Sequence, residues 1–295
     1  MAVIGFVAHP QRHSALDVVA STTAWLEGLG HEVRLLDPTD TGDPSVPGAT
    51  KGIASPLDPA QLDGLDLAVS VGGDGTMLRT VDLVSPNKVP ILGVNFGHLG
   101  YLAAVEPEGL REALGRFLDG DYQVEARMML DIKVRTDGDR TELTSCSVLN
   151  DIVLQRAGQG HTVRAELAVN GVSFLRYVAD SLIVATPTGS TAYNLSARGP
   201  IVSPRSRVQI VTPVAPHLLF DRSLVLACDE SVALSPLDGL AANIVADGQP
   251  LGTLEPGQTL HCGQSTNDAL LITFGDRDFH HILKRKFHLA DHPEA

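Results

Sequence analysis

Cysteine is scarce, positive charge is outweighed and long apolar runs are missing, and each lack narrows what this 295-residue chain can be. Cys146, Cys228 and Cys262 are isolated, odd in number and free of CxxC or Cys/His spacing, which argues against a disulfide framework and against a zinc site. They read as small buried hydrophobes of a reducing compartment. No run of about 18 apolar residues occurs, so no membrane-spanning helix is expected. Lys plus Arg number 22 against 35 for Asp plus Glu, a formal charge of -13. That balance repels phosphate backbones and anionic membranes at long range, and it leaves room for a local site that takes a phosphorylated small molecule. GxxxxGK[ST], HExxH, GxSxG and a GxGxxG after a strand are all missing, which argues against a P-loop kinase, a zincin, an α/β-hydrolase and a simple Rossmann dehydrogenase. The opening Met1-Ala2-Val3-Ile4-Gly5-Phe6 has neither a basic n-region nor a long apolar segment, so it is taken as a first strand and not a signal peptide. A soluble cytoplasmic protein is expected, of one large or two ordinary domains, long enough to fold without covalent or metal staples.

What is present alternates. Val3–Ala8 reads as a buried strand, and Ser14 is placed to cap a helix with Leu16, Val19, Thr23 and Leu26 on one face, ended by Gly28 and Gly30. Val33–Leu36 reads as a strand, Asp37–Pro59 as a long loop, Leu67–Val71 as a strand, Met77–Val84 as a helix, Val89–Val94 as a strand and Pro107–Leu118 as a helix. Strand–helix repeats of this kind predict a doubly wound parallel sheet. Beyond about residue 120 the helical period gives way to strand-like runs: Met129–Val134, Cys146–Leu154, Val163–Val169, Val208–Thr212 and Ala242–Ala246. Asp278–Phe287 returns to a helical pattern. The prediction is an α/β domain over 1–120, a β-rich domain over 121–275 and a C-terminal helix, 276–295, that packs back on the first domain.

Two loops carry chemistry. Gly72-Gly73-Asp74-Gly75-Thr76 follows a buried strand, at the sheet edge where ligands of open α/β sheets bind. Adjacent glycines let the backbone approach a phosphate, and a helix starting near Thr76 adds its positive end. Asp74 is then a carboxylate beside a phosphate, placed to accept a proton from an attacking hydroxyl. An ordinary Gly-Asp-Gly turn fits the same spacing. The second loop, Thr186-Pro187-Thr188-Gly189-Ser190-Thr191-Ala192-Tyr193, follows the apolar run Leu182–Ala185 and offers hydroxyls to a ribose or phosphate; a plain hydroxyl-rich turn capping a short helix fits it as well.

Together the two loops resemble the NAD kinase family, whose members phosphorylate NAD to NADP with ATP or polyphosphate. The resemblance extends over nearly the whole chain, through Asn95-Phe96-Gly97-His98-Leu99-Gly100-Tyr101-Leu102, Leu149-Asn150-Asp151, the run from Asp180 to Tyr193, Pro216-His217 and Asp247-Gly248-Gln249. The glycine motif alone is shared with diacylglycerol, sphingosine and phosphofructokinases, so the Thr186–Tyr193 loop at this distance decides. The resemblance implies that Asp74 accepts the proton of the adenosine-ribose 2′-hydroxyl. It implies that Gly72, Gly73, Gly75, Thr76, Arg79 and Asn95 lie at the nucleotide, and that Asn150 and Asp151 bind the ribose. His161 and Asp180 would line the NAD site, and Thr188, Ser190, Thr191, Ala192, Tyr193 and Ser196 would hold the adenosine part, with Ala215 and Gln249 as further contacts. It implies Mg²⁺, or another divalent cation, arriving with ATP and no dedicated metal cage. NAD and ATP or polyphosphate are the implied partners, in a homodimer or homotetramer that binds neither nucleic acid nor membrane.

This sequence departs from the family at four points. Asp151 stands where Glu is usual, Val178 where many relatives have Arg or Lys, Ser181 where Gly is common, and Arg198 where Gly follows the loop. Arg198 is a candidate for the charge missing at Val178. Two rival readings are a non-catalytic NAD(P)-binding regulator and a kinase using the glycine motif on another small molecule. Lys284-Arg285-Lys286 reads as a solvated helix face, and His9, His13, His280 and His281 have no ligand-like spacing.

Overall fold

The computed structural model describes residues 1–9, 11–36, 59–96, 100, 102–103, 105–138, 142–158, 162–275 and 279–289. Val3–Ala8 (β1), Leu67–Gly72 (β3) and Ile91–Asn95 (β4) are near-continuous apolar runs, buried as parallel strands flanked by helices must be. With Glu32–Leu35 (β2), Gln123–Arg127 (β5) and Ala269–Thr273 (β18) they form one six-stranded sheet ordered β2-β1-β3-β4-β18-β5. β1 pairs parallel with β2 and β3, and β3 parallel with β4. The chain therefore crosses outward from β1 in one direction and from β3 in the other, which makes the carboxyl ends of β1 and β3 a topological switch point.

Helix α1 (His13–Gly28) buries Ala15, Val19, Thr22 and Leu26. This stripe is rotated by a residue from the expected one, and Leu16 is 40% exposed. The small Ala15 and Thr22 fit closer to the sheet than hydropathy indicates, and no side chain caps the helix, so Ser14 does not serve there. Trp25 packs at the edge of this core with the Arg111 guanidinium 5.8 Å from its ring. The expected loop Asp37–Pro59 lies outside the described residues except for Pro59, which opens a short helix, α2 (Pro59–Leu62). Helix α3 spans Asp74–Val84, α4 Leu110–Leu118 after a 3-10 turn, and α6 Phe279–Lys286.

The described chain divides into two units. The first takes the chain up to Ala126 and the segment from Ala269 on, so α6 returns to it. The second, Arg127–Asp268, is a β-sandwich. One sheet is ordered β10 (Val172–Ala179), β9 (Val163–Val169), β14 (Val232–Pro236), β17 (Gln258–Gln264), β6 (Leu130–Thr136), β7 (Glu142–Val148). The other is ordered β13 (Leu224–Ala227), β12 (Val208–Val214), β11 (Ser181–Ala185), β8 (Asp151–Arg156), β15 (Ala242–Ala246), β16 (Gln249–Leu254). Alternate residues of both sheets, among them Leu130, Ile132, Leu154, Leu167, Val184 and Leu260, make the shared core. The outer face of the second sheet is covered too, by Ala197 and Val202 over Val153, Ile183, Ala185 and Ile210, which is why β11 is buried along its whole length. Of the cysteines, all unbridged, only Cys262 is fully buried, and burial pushes its thiol far up; Cys146 and Cys228 are half-buried.

Candidate functional site

In the first unit the glycine motif leaves β3 at the switch point. Gly72 sits opposite Asn95 at the end of β4, and the Phe96 N–H donates to the Gly72 carbonyl at 2.9 Å. A Cβ on Gly72 would collide with the Thr76 side chain, so this glycine is needed for packing. At Gly73 and Gly75 a Cβ would meet nothing within 4 Å, and both are exposed, so the backbone there is open to an approaching anion. The helix begins at Asp74 and not at Thr76, with Gly73 as its N-cap in extended conformation. Asp74 therefore carries its carboxylate at the positive end of α3. Arg79, half-exposed, lies on the same helix; Thr76 and Asn95 are buried.

The Asp74 side chain reaches solvent, yet the protein mass around it strips part of its hydration. That desolvation raises its carboxyl above the ordinary range, and the Lys286 ammonium on α6 pulls in the opposite direction. Lys286 is itself lowered by burial and raised by Asp74.

The second unit holds a pocket of about 290 Å³ lined by Asn150, Asp151, Gln155, Ala192, Tyr193 and Asp247, among others. Its floor exists because the expected single strand Cys146–Leu154 is two: β7 ends at Val148 and β8 starts at Asp151. The break is clasped by a hairpin tip. Ala246 pairs with Gln249, leaving Asp247-Gly248 as a two-residue loop with φ of 46° and 78°. Positive φ at both central residues is the type I′ pattern that Asp-Gly favours. The Asp247 carboxylate accepts the backbone N–H of Leu149 at 2.8 Å, Asn150 at 2.8 Å and Asp151 at 3.0 Å, and its own N–H donates to the Asp151 carbonyl at 2.9 Å.

Burial pushes Asp247 upward against the pull of those three donors. Asp151, 4% exposed, is pushed up to about 7, first by burial and then by the Asp247 charge, with one N–H from Tyr193 opposing. Asp247 accepts three backbone donors against one at Asp151, and Asp151, at about 7, takes its proton near neutrality.

The hydroxyl-rich loop is stitched from within. Thr186 Oγ donates to the Leu149 carbonyl at 2.5 Å and accepts the Gly189 N–H at 3.0 Å. Ser190, fully buried, bonds Val202 through its hydroxyl in both directions, Thr191 Oγ donates to the Thr188 carbonyl at 3.1 Å, and Arg127 reaches Thr188 Oγ at 3.4 Å. These hydroxyls shape the loop. A Cβ on Gly189 would run into the Asn150 carbonyl, so the loop and the β7–β8 break are in backbone contact. The loop continues through one 3-10 turn, Gly189–Thr191, into α5 (Tyr193–Ser196), with Ser196 and Tyr193 exposed.

The structure thus brings Asn150, Asp151, Ala192 and Tyr193 together, with Thr188, Ser190 and Thr191 as their support. Gln249 is exposed at the start of β16, and Ala215 is exposed with φ 47° after β12. Asp180, between β10 and β11, is paired with Arg156 at 3.7 Å. Arg198 is exposed with φ 63°, a conformation that suits the glycine usual there. His161 lies outside the described residues. Among the described residues no cluster of three or more His, Cys, Asp or Glu could hold a metal ion, and no helix is long and apolar enough to cross a membrane.

Residues 4–122 match the family model of the ATP-NAD kinase N-terminal domain, and residues 149–274 that of the ATP-NAD kinase C-terminal domain. The chain belongs to the NAD kinase family. An NAD kinase of Heliobacterium modesticaldum is 39% identical over 97% of this chain and 98% of its own, and NAD kinase 1 of Streptomyces coelicolor is 34% identical over 99% and 87%. The fold is that of a yeast NADH kinase solved with NADH, at a TM-score of 0.85 and 21% identity over 100% of this chain and 89% of that one. It is also that of an Archaeoglobus fulgidus NAD kinase solved with ATP, at 0.71 and 24% over 98% and 99%. NAD kinase activity comes with this membership, and the readings as a regulator or as a kinase for another acceptor fall away.

Three residues escaped the sequence reading. Asp247 stood in a matching motif without a role, although Asp-Gly between two strand-like runs is the hairpin signal that announces it. Arg156 and Lys286 face their carboxylates only through tertiary structure, and no local pattern marks them.

Proposed function

We propose that Asp74 is the general base that accepts the 2′-hydroxyl proton of the adenosine ribose of NAD as the γ-phosphate of ATP, or the terminal phosphate of polyphosphate, is transferred to that oxygen. The observation that carries this reading is the place of Asp74: first residue of α3, at the switch point of the sheet, reached by solvent, between two glycines whose surroundings are open. The hydroxyl oxygen attacks phosphorus in line, the bond to the leaving phosphate breaks, and the proton passes to Asp74. An ordinary Asp, with a pKa of about 4, is far too weak a base to ionise a sugar hydroxyl beforehand. The proton therefore moves late, and positioning with electrostatics carries most of the rate. Mg²⁺ would enter as part of the donor substrate and offset the charge of its phosphates.

The β-rich unit, in this reading, supplies the dinucleotide's grip: Asn150 and Asp151 at the ribose, Ala192 and Tyr193 at the adenosine, Asp180 with Arg156 further along the molecule. A homodimer or homotetramer in the cytoplasm completes it. Self-association is supported by exposed apolar side chains of the second unit, Val172, Phe174, Leu219 and Phe220, with the last-named ring 6.2 Å from that of Phe174.

The test is an assay of the purified protein with NAD, ATP and Mg²⁺, read by an NADP-specific dehydrogenase. Asp74→Asn is expected to fold normally and to lose about 10²–10⁴-fold in turnover, the usual worth of a positioned base. Retention of more than about a tenth of wild-type turnover removes Asp74 from that role.

A further inference from the structure

Two neighbours of Asp74 have no part in the reaction so far. Gly100 is buried against its carboxylate: a Cβ built on Gly100 would run into Oδ1 and lie 3.2 Å from Cγ and 3.5 Å from Oδ2. Gly100 is not in the left-handed region, so backbone conformation does not demand a glycine there. Space does. The second neighbour is Lys286, the half-buried last residue of α6 and within electrostatic range of the same carboxylate. The strands packed on α3 bring no titratable side chain: Val3–Ala8, Leu67–Gly72 and Ile91–Asn95 contain none. On α3 itself Arg79 and Asp82 are the other charged residues, and α6 also carries His280, His281, Lys284 and Arg285. Of all these, Lys286 is the one whose charge acts on Asp74.

We propose that Gly100 is a positioning residue for the base: it leaves the berth in which the Asp74 carboxylate lies. This rests on the reading of Asp74 as base. A side chain at residue 100 would push the carboxylate out of that berth and turn it away from the hydroxyl.

The sign follows from the charges. Crowding by protein raises the Asp74 carboxyl and Lys286 lowers it, so a neutral residue at 286 lets it rise further. The acid limb of the kcat–pH profile, where the base becomes protonated, then moves to higher pH. The experiment measures kcat and KM against pH for the full-length wild type, Lys286→Met, Lys286→Arg and Gly100→Ala, with Asp74→Asn as reference. Lys286→Met is expected to shift the acid limb upward with KM for NAD little changed, and Lys286→Arg to restore it. Gly100→Ala is expected to lower kcat about 100-fold, as a misplaced reacting group does, while NAD still binds. An unmoved limb in Lys286→Met means that its charge does not reach Asp74. Wild-type kcat in Gly100→Ala overturns the role of Gly100. If Gly100→Ala does not fold, Asp74→Glu decides: its longer side chain overruns the same berth, and wild-type kcat there overturns the role of Gly100 as well. Activity in Asp74→Asn would bring down the base reading itself, whereas an inactive Asp74→Asn beside wild-type behaviour in the other variants removes only this inference.

Discussion

Asp74 and Asp247 are both aspartates whose surroundings raise their affinity for a proton, and in every other respect their settings are opposed. Asp74 heads a helix, reaches solvent, has glycines on either side and feels the Lys286 ammonium. Asp247 is half-buried at a hairpin tip and spends its carboxylate on three backbone N–H groups. A group that must take up and release a proton has to stay uncommitted, and a group that holds two strand ends in place has to be saturated. The first unit keeps the carboxylate proposed as base uncommitted; the second fixes a cavity by internal bonds, from Asp247 to Thr186 and Ser190.

The same isosteric change in both places gives the largest contrast. Asp74→Asn should abolish turnover as stated and leave the melting temperature unchanged or slightly higher, because a crowded charge is removed. Asp247→Asn keeps an oxygen for Asn150 and Asp151 but turns an NH₂ toward the Leu149 N–H, donor against donor. Its expected cost is about 1–3 kcal/mol of unfolding free energy, measured by urea titration, with a raised KM for NAD. If the stability loss fell on Asp74→Asn and spared Asp247→Asn, the contrast would be reversed and the assignment of roles with it.

Two glycines sharpen it further. Alanine at Gly189 drives a Cβ into the Asn150 backbone, 2.7 Å from its Cα, and overpacking of that kind costs about 1–3 kcal/mol. Alanine at Gly75 meets nothing, and within α3 it gains about 0.5–1 kcal/mol of helix propensity. Thermal melts should therefore move in opposite directions. If the nucleotide lies at the motif as proposed, assays should show Gly75→Ala impaired despite its greater stability, because the added methyl enters that open space.

The pH dependence separates the units again. Asp151 is pushed from the ordinary carboxylate range to about 7 in the folded chain. The folded state thus binds this proton more tightly than the unfolded one, and stability falls as pH rises from about 4 to 7, then levels off. Asp151→Asn removes the penalty. Its melting temperature should match wild type at pH 4 and exceed it at pH 8, by about 2–4 °C for each kcal/mol recovered. An equal difference at both pH values would mean that Asp151 does not protonate in the folded pocket.

Much of this was open to sequence reading wherever the chain obeys local rules. Val3–Ala8, Val163–Val169 and Ala242–Ala246 are strands at the very residues that period and composition pick out. The glycine motif declares itself because adjacent glycines leave bare, open backbone at Gly73 and Gly75. What stayed hidden depends on residues far apart. The break at Leu149–Asn150 is imposed by Asp247, about 97 residues away, so an apolar run that looks unbroken becomes two strands. β18 follows β17 in sequence yet pairs with β4 in the other unit's sheet, at Leu271 and Ile91. Lys286 looked like one of three solvated basic residues, and only the return of α6 brings it to Asp74.

The smallest expected effect concerns the cation missing at Val178. Sequence reasoning offered Arg198 as its substitute, but the structure sets Arg156 beside Asp180, Nη1 to Oδ1 at 3.7 Å, with both side chains about half exposed. An ion pair so open to water is worth about 0–1 kcal/mol to the fold, so Arg156→Ala should leave the melting temperature where it is. If Asp180 and its cation meet the dinucleotide, KM for NAD rises by less than about tenfold, the equivalent of 1.4 kcal/mol, with kcat unchanged. Arg198→Ala, run alongside, should change neither parameter. The reverse result, with Arg198 raising KM and Arg156 silent, returns the substitute charge to the loop after α5 and leaves the Arg156–Asp180 pair as a surface contact of the β-sandwich alone.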